Sequence, residues 1–592
     1  LEMLDPKTDQ VDYGELIMPP PGYTLKRAIG TTYSLDLQAL LAIPVAMFYG
    51  KPISTEQNKS RYDLDIFDSV TGAASLITIF CQKGKIKVPN KYNKLLSFTE
   101  DCIIQIKPSG VFSSFHPKIW CLWFQKEDSS ERIVRFAVLS RNLTFDRSWD
   151  ISFCFDGYVV NEKQIKNKPI IDFLSYLEKE SGMKIDIKLK RDLERTEFKS
   201  QLPIKSWTFH PIGISDAYVN PLSGNYFRSD TLLIMSPFVD NDSVIKTSYL
   251  ATGKRWLFSR KLELQKLSLE SHSVLTKSFC IPDTIVNGEW NENIDEINPE
   301  YEPEPLDLHA KLYIGSKAGH YTWLIGSANL TKPAFDRNIE CLFEIKTDDY
   351  HYSPSSVFGE LVTDEYENKL FEEFNVESSE QKATDETLSR LLRKLEFEII
   401  NCPFSGKIIP DGTDHYFRYE MYFDATGFRA PDNFTVYIQI INVPLSSGYG
   451  LVIKPNCVNV LPYSDLLKES QLSRYFVISI IHKGTPERSF IIKAEIDLPE
   501  TRYGRIISEI IDSREKFMQY LRLLLSENGI VDTETVDRNT VRIEYSSGDE
   551  VPIWEKYNFP LFEELLKATA RHPDKLKRID ETIRKLSADK ES

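Results

Sequence analysis

Two histidine–lysine pairs carry the chemistry that this sequence offers: His116-Pro117-Lys118 and His309-Ala310-Lys311. Each is followed by an apolar run and then by a second run that ends in Ser-x-Asn-Leu-Thr. The endings are Ser140-Arg141-Asn142-Leu143-Thr144 and Ser327-Ala328-Asn329-Leu330-Thr331. Each copy then gives Phe-Asp-Arg-x-x-acid, closing on Asp150 and on Glu340. The second copy differs by an insertion, Lys332-Pro333-Ala334, before its Phe. One His-x-Lys alone is more often an ordinary polar turn than a site. Two copies in the same order, with the same followers, are hard to obtain by chance.

At the start of a strand, residues i and i+2 project on one face. Each copy therefore presents an imidazole and a fixed cation together, and the Asn at the end of the neighbouring strand can join them. Two such sets facing each other suit a tetrahedral phosphate anion. One imidazole can attack phosphorus and form a phosphohistidine. The other can protonate the leaving oxygen and then activate water. Lys118, Lys311, Asn142 and Asn329 would stabilise charge on the non-bridging oxygens. Ser140 and Ser327 could add hydroxyl donors. Asp150 and Glu340 are placed to orient the opposite imidazole, with pairing to the nearby Arg147 or Arg337 as the plainer reading. No metal ligand set and no cofactor motif accompany these residues, so neither is expected.

The paired His-x-Lys…Asn motifs resemble the phospholipase D superfamily, over about residues 30–375. Most members carry Asp five residues after the Lys, where this chain has Trp123 and Ser316. That departure, with Ser-x-Asn-Leu in both copies, looks more like the tyrosyl-DNA phosphodiesterase branch and related bacterial nucleases. The resemblance implies an α/β fold of two similar α/β/α halves with pseudo-two-fold symmetry and the site between them. It also implies that His116 is the nucleophile and His309 the acid, an order that the nearly equivalent motifs leave open.

The elements that must position these residues are legible as apolar runs. "SLITIFC", "CIIQI", "IWCLWF", "IVRFAVLS" and "ISFCF" predict strands in the first half, and "SLDLQALLAIPVAMF" a helix. "TLLIMS", "RWLFSR", "AKLYIG", "YTWLIGS" and "ECLFEI" predict strands in the second. The polar, acidic stretch near residue 376 suggests a boundary. The expected domains are thus residues 1–205, 206–375 and a C-terminal α+β accessory domain over 376–592. In the last, "DETLSRLLRKLEFEII" reads as a helix capped by Thr384 or Asp385, and the chain end as another. The strands between include a hairpin about Gly484–Pro486.

Composition bounds the function. The chain has 592 residues, 41% hydrophobic and 27% charged, with a net charge of −15. A simple nucleic-acid binder wants a cationic face, so any polyanion site must be locally basic on an acidic body. Lys254, Arg255, Arg260 and Lys261 could line a phosphate track, or form a solvated face. Trp120 and Trp123 could stack bases, although core packing is the commoner fate of such residues. The acidic stretch leading into His309 could act as a lid. No apolar run spans a membrane, no leader pattern opens the chain, and eight scattered cysteines form no C-x-x-C pair. A cytoplasmic setting is expected. DNA, single-stranded or duplex, is the expected partner, with a helicase or other bacterial defence protein docking on the C-terminal domain. A phospholipid hydrolase and a non-catalytic nucleic-acid or partner-binding protein are the alternatives.

Overall fold

The computed structural model describes residues 16–40, 43, 75–282, 307–362, 371–375 and 386–506, except 91, 93, 128, 145–147, 201, 225, 413–415, 443–449, 463–465 and 504. The chain falls into two compact units. One takes residues 1–35, 77–85 and 103–397, and the other takes 36–76, 86–102 and 398–592.

The first unit holds two sheets. Its strands begin with β1 (Tyr23–Thr32), β2 (Ile77–Gln82), β3 (Ile103–Ile106), β4 (Ile119–Lys126) and β5 (Arg132–Leu139). Next come β6 (Ser148–Trp149), β7 (Ser152–Val159), β8 (Thr196–Lys199) and β9 (Ser206–Ile212). The second series is β10 (Thr231–Met235), β11 (Arg255–Phe258), β12 (Lys277–Cys280), β13 (Asp307–Leu308), β14 (Leu312–Lys317), β15 (His320–Gly326), β16 (Glu340–Thr347) and β17 (Glu372–Glu373). The sheets run β3-β2-β1-β4-β5-β7-β8 and β17-β12-β11-β10-β14-β15-β16-β9. In both, three strands lie parallel, and the strand following His-x-Lys then joins antiparallel to the innermost of them. The strand leading to Ser-x-Asn and the strand following or containing the carboxylate continue the antiparallel run.

The strands expected in both sheets are present, and the first sheet holds one that no apolar run announced, β1, the innermost of its three parallel strands. Lys26, Arg27 and Gly30 break its apolar pattern, yet Ala28 and Ile29 are completely buried between β2 and β4. The inner faces of both sheets share one core, in which Phe153 stacks on Phe343 at 4.8 Å between ring centroids. Helix α1 (Lys168–Ser181) sends Ile170, Phe173, Leu174 and Leu177 into that core. A Pro in its first turn and Gly182 at φ 72° fix its two ends. The other face of the second sheet is covered by α2 (Asn241–Ser248), α3 (Lys261–Gln265) and α4 (Lys332–Asp336), through Val244, Leu264 and Ala334. The extra Lys332-Pro333-Ala334 of the second motif is thus the start of a helical turn.

Both sheets of the first unit bury their inner faces in one core, and the last segment of that unit ends at residue 397. The second unit is β-rich, with two four-stranded sheets, and it draws in residues 86–102. Glu100 receives both arms of the Arg502 guanidinium at 2.9 and 3.0 Å, with both side chains buried. Such a pair holds its place only when both partners remain. Its expected hairpin closes through Lys483 and Gly484, both at positive φ (50° and 86°), as a two-residue turn demands. The expected helix over 386–401 is present, and residues 37–40 of "SLDLQALLAIPVAMF" are helical, whereas the cap of the former, the C-terminal helix and residues 41, 42 and 44–48 lie outside the described residues.

Candidate active site

Backbone pairing crosses between the two sheets and sets the site. Phe115 bridges Ile339, and the His116 N–H donates to the Ile339 carbonyl at 2.9 Å. In the same manner β13 pairs with β6, and the His309 N–H donates to the Trp149 carbonyl at 3.0 Å. The residue before each histidine is thereby tied to the residue before the opposite carboxylate.

The imidazoles follow. His116 Nδ1 lies 2.8 Å from Glu340 Oε2 and 3.1 Å from the Ser327 carbonyl. His309 Nδ1 lies 3.0 Å from the Ser140 carbonyl and 3.5 Å from Asp150 Oδ1. Carbonyls and carboxylates only accept, so each Nδ1 carries the hydrogen and each Nε2 keeps its lone pair. Lys118 Nζ donates to His116 Nε2 at 3.0 Å and to the His116 carbonyl at 3.2 Å. Lys311 Nζ donates to the His309 carbonyl at 2.6 Å and to the Ser140 carbonyl at 3.4 Å. Both lysines are buried, at 1% exposure.

The carboxylates are clamped in turn. The Ser327 hydroxyl donates to Glu340 and accepts the Cys341 N–H at 2.9 Å, and the Asn338 amide donates to Glu340 Oε1 at 2.9 Å. The Ser140 hydroxyl donates to Asp150 Oδ1 at 3.3 Å and accepts the Ile151 N–H at 2.9 Å, and the Ser148 hydroxyl donates to Asp150 Oδ2 at 3.0 Å. Both motif serines are therefore occupied with the carboxylates instead of facing a ligand. Arg141 approaches Asp150 at 3.9 Å; the expected Arg147 lies outside the described residues. Glu340 pairs with His116, Ser327 and Asn338. Sequence reasoning missed Ser148 and Asn338. Their signal was a polar residue two before each acid, on the same face of an extended segment.

Each Asn is set by its neighbour. The Leu143 N–H donates to Thr32 Oγ1 at 3.0 Å, and the Leu330 N–H donates to Ser236 Oγ at 2.9 Å. The side-chain oxygens of Asn142 and Asn329 are buried and make no hydrogen bond among the described residues. An amide oxygen left so costs roughly 1–3 kcal/mol, which an incoming ligand can offset by reorienting and engaging the amide. The Tyr33 ring, a further residue that the motifs do not flag, packs 5.1 Å from the His116 ring.

Burial and Lys311 hold His309 down at about 4 despite Asp150. Burial likewise lowers His116, against the pull of Glu340. Burial and the neighbouring Lys118 charge push Lys311 well below its ordinary value. Burial alone would raise Glu340 and Asp150, but His116 and His309, with the lysines, keep both below the usual carboxylate range. The protein alone thus crowds cationic groups in a desolvated place, and an anion relieves that crowding. Among the described residues, no group of three or more His, Cys, Asp or Glu could hold a metal ion.

Outlying expectations divide. Trp120 and Trp123 are buried at 2% and 3% exposure, and the Trp123 indole donates to the Leu189 carbonyl, so both are core residues and neither stacks a base. Lys254 stands over the Trp256 ring at 5.5 Å, and Arg255 spends its guanidinium on the Ala251 and Val274 carbonyls. Arg260 is tied to the segment that leads into His309, at the Leu308 carbonyl (2.9 Å) and Asp307 (2.9 Å). The acidic stretch over 283–306 lies outside the described residues. No described helix is long and apolar enough to cross a membrane.

No family model and no curated protein matches the chain. Among solved structures it is similar to a yeast tyrosyl-DNA phosphodiesterase, with 14% identity and a TM-score of 0.33, over 56% of this chain and 84% of that one. It is similar to a polyphosphate kinase from Porphyromonas gingivalis, with 10% identity and a TM-score of 0.29, over 57% and 46% of the two chains. It is also similar to a phosphatidylserine synthase from Haemophilus influenzae Rd KW20, with 10% identity and a TM-score of 0.29, over 59% and 82%.

Proposed function

We propose that this protein is a metal-independent phosphodiesterase that cleaves nucleic acid, DNA first, through a covalent phosphohistidine. The observation that carries the reading is the reciprocal pairing of each His Nδ1 with the opposite carboxylate, around two buried lysines. With Nδ1 protonated, the His116 Nε2 lone pair attacks phosphorus. The P–O bond to the leaving group breaks, and that oxygen takes a proton from His309. His309, then neutral, removes a proton from water as the water attacks phosphorus. The P–N bond breaks and its electron pair returns to His116. His309 is neutral in the free site, and the bound phosphodiester supplies the negative charge that lets it hold its proton. Lys118, Lys311 and the Asn142 and Asn329 amides stabilise the non-bridging oxygens.

The halves are read as related by a pseudo-two-fold axis, in keeping with their matching strand orders. His116 is taken as nucleophile because its Nδ1 is held at 2.8 Å by the buried Glu340. Lys118 leaves Nε2 for a non-bridging oxygen of the bound phosphate and so frees the lone pair for attack. DNA is favoured by Trp123 and Ser316, which stand where lipid-cleaving members of the resembling family carry Asp. The C-terminal unit is read as a substrate-recognition module or a dock for a helicase-like partner.

The test is a panel of single-stranded DNA, duplex DNA, RNA and phosphatidylcholine, with EDTA present. Wild type should cut DNA, and His116→Ala and His309→Ala should each lose roughly 10³-fold or more. After quench in alkaline denaturant, which preserves the P–N bond, His309→Ala should retain labelled phosphate on the protein, given a substrate with a good leaving group, and His116→Ala should not. Lipid turnover without DNA cleavage, or DNA cleavage lost on adding EDTA, overturns the reading.

A further inference from the structure

We infer that Phe238 and Arg260 form a stacking shelf for the base of the nucleotide on the His309 side of the scissile phosphate. The inference rests on the nuclease reading above and adds to it a specificity residue.

Phe238 follows β10 and keeps 40% of its surface exposed, unusual for a large apolar ring in a fixed loop. Its backbone is held from several sides. The Ser236 hydroxyl donates to the Phe238 carbonyl at 2.8 Å, and the same oxygen accepts the Leu330 N–H beside Asn329. Val239 bridges Leu330, and the Asp240 N–H donates to the Leu330 carbonyl at 3.2 Å. The ring is held too, with the Arg260 guanidinium 4.7 Å from its centroid. Arg260 is itself anchored to the Leu308 carbonyl, next to His309, and to Asp307. Its charge also weighs against protonation of Lys311. The exposed ring is therefore fixed between the segment bearing Asn329 and the segment bearing His309.

The first half differs at the matching place. Thr32 plays the part of Ser236, donating to the Ser34 carbonyl and accepting the Leu143 N–H. Ser34 therefore stands where Phe238 does, and the aromatic residue before it, Tyr33, lies against the His116 ring itself. It buttresses the imidazole, whereas Phe238 presents a rigid, open π-surface with a cation already on it. A fixed ring of this kind takes another planar ring at little entropic cost, and a base stacked on an aromatic side chain contributes about 1–3 kcal/mol.

The experiment measures kcat/KM by single turnover for wild type, Phe238→Ala, Phe238→Leu and Phe238→Trp. The substrates are single-stranded oligodeoxynucleotides carrying one abasic residue, scanned across the cleaved bond. The shelf predicts that Phe238→Ala and Phe238→Leu lose roughly 5- to 100-fold on the fully based strand. Phe238→Trp stays near wild type. An abasic residue on the His309 side should cost wild type the same factor and cost Phe238→Ala nothing more, whereas one on the His116 side costs all variants alike. Leu keeps the ring's bulk under Arg260, so equal activity of Phe238→Leu and wild type overturns the shelf and leaves Phe238 a rim residue. An additive abasic penalty in Phe238→Ala overturns it as well. Failure of wild type to cut or bind any oligonucleotide overturns the nuclease reading and the shelf with it, a result distinct from intact cleavage with an inert Phe238.

Discussion

The two half-sites share a plan and differ in strength. Glu340 is completely buried, 2.8 Å from His116, and clamped by Ser327 and Asn338. Asp150 is partly exposed, 3.5 Å from His309, and shared with Arg141. Lys118 reaches the Nε2 of its own histidine, whereas Lys311 sits on the Nδ1 side of His309, 3.3 Å from that nitrogen, with its hydrogen bonds to backbone carbonyls. His309 Nε2 has no hydrogen-bond partner among the described residues. A nearly repeated sequence has thus produced one tightly oriented imidazole and one looser one. The difference suits a nucleophile that must hold a line of attack and an acid/base that must serve first a leaving group and then water.

The strongest way to break this comparison is to remove each carboxylate charge while keeping its shape. Glu340→Gln should lower kcat roughly 10²- to 10⁴-fold, because an amide that donates to Nδ1 selects the wrong tautomer. Asp150→Asn should cost about 10- to 100-fold, the range of an outer partner acting through a ligand. Steady-state kinetics decides between them, and equal losses would make the halves equivalent.

Acidity sharpens the comparison at the second half. His309 sits at about 4 in the folded chain against an ordinary 6.5. Between those values the unfolded chain holds the extra proton, so stability falls as pH drops from about 6.5 toward 4 and is level above that window. His116 moves stability in the same direction. A thermal scan across this range should show Tm falling, at about 1 °C for each kcal/mol lost in a chain of this length. Tungstate, a tetrahedral anion, should reduce the fall by supplying the missing negative charge, and His309→Asn should flatten it. A Tm independent of pH from 6.5 to 4.5 would contradict the buried, neutral His309.

The smallest effect belongs to the residues two before each acid. Asn338→Ala and Ser148→Ala each remove one hydrogen bond to a carboxylate, worth about 0.5–1.5 kcal/mol, or roughly 2- to 12-fold in kcat. The pH profile should shift with the loss, since each hydrogen bond holds its carboxylate ionised. A change in KM alone would place these residues in substrate binding instead.

Much of the fold was legible because apolar runs mark buried strands whatever surrounds them. "IWCLWF" and "YTWLIGS" lie where the pattern put them, as β4 and β15. The strand β1 was not legible, since its burial comes from residues 49 and 90 positions away, as with Gly30 beside Ile79 and Trp120, and not from its own composition. The inclusion of residues 86–102 in the second unit was equally hidden. It depends on Glu100 meeting Arg502, and no local rule links residues so far apart.

The site divides along the same line. The sequence by itself determined which groups are present, because His, Lys, Asn and Ser-x-Asn-Leu recur at matched spacing and only a repeated backbone plan preserves such spacing. Tertiary structure decided what each group faces. It turned Ser140 and Ser327 to the carboxylates, buried Trp120 and Trp123, and set Tyr33 against His116 while leaving Phe238 open. It also crossed each histidine to the opposite acid. These outcomes turn on contacts between segments far apart in the chain, where a shift of one residue in register reverses the face that a side chain shows.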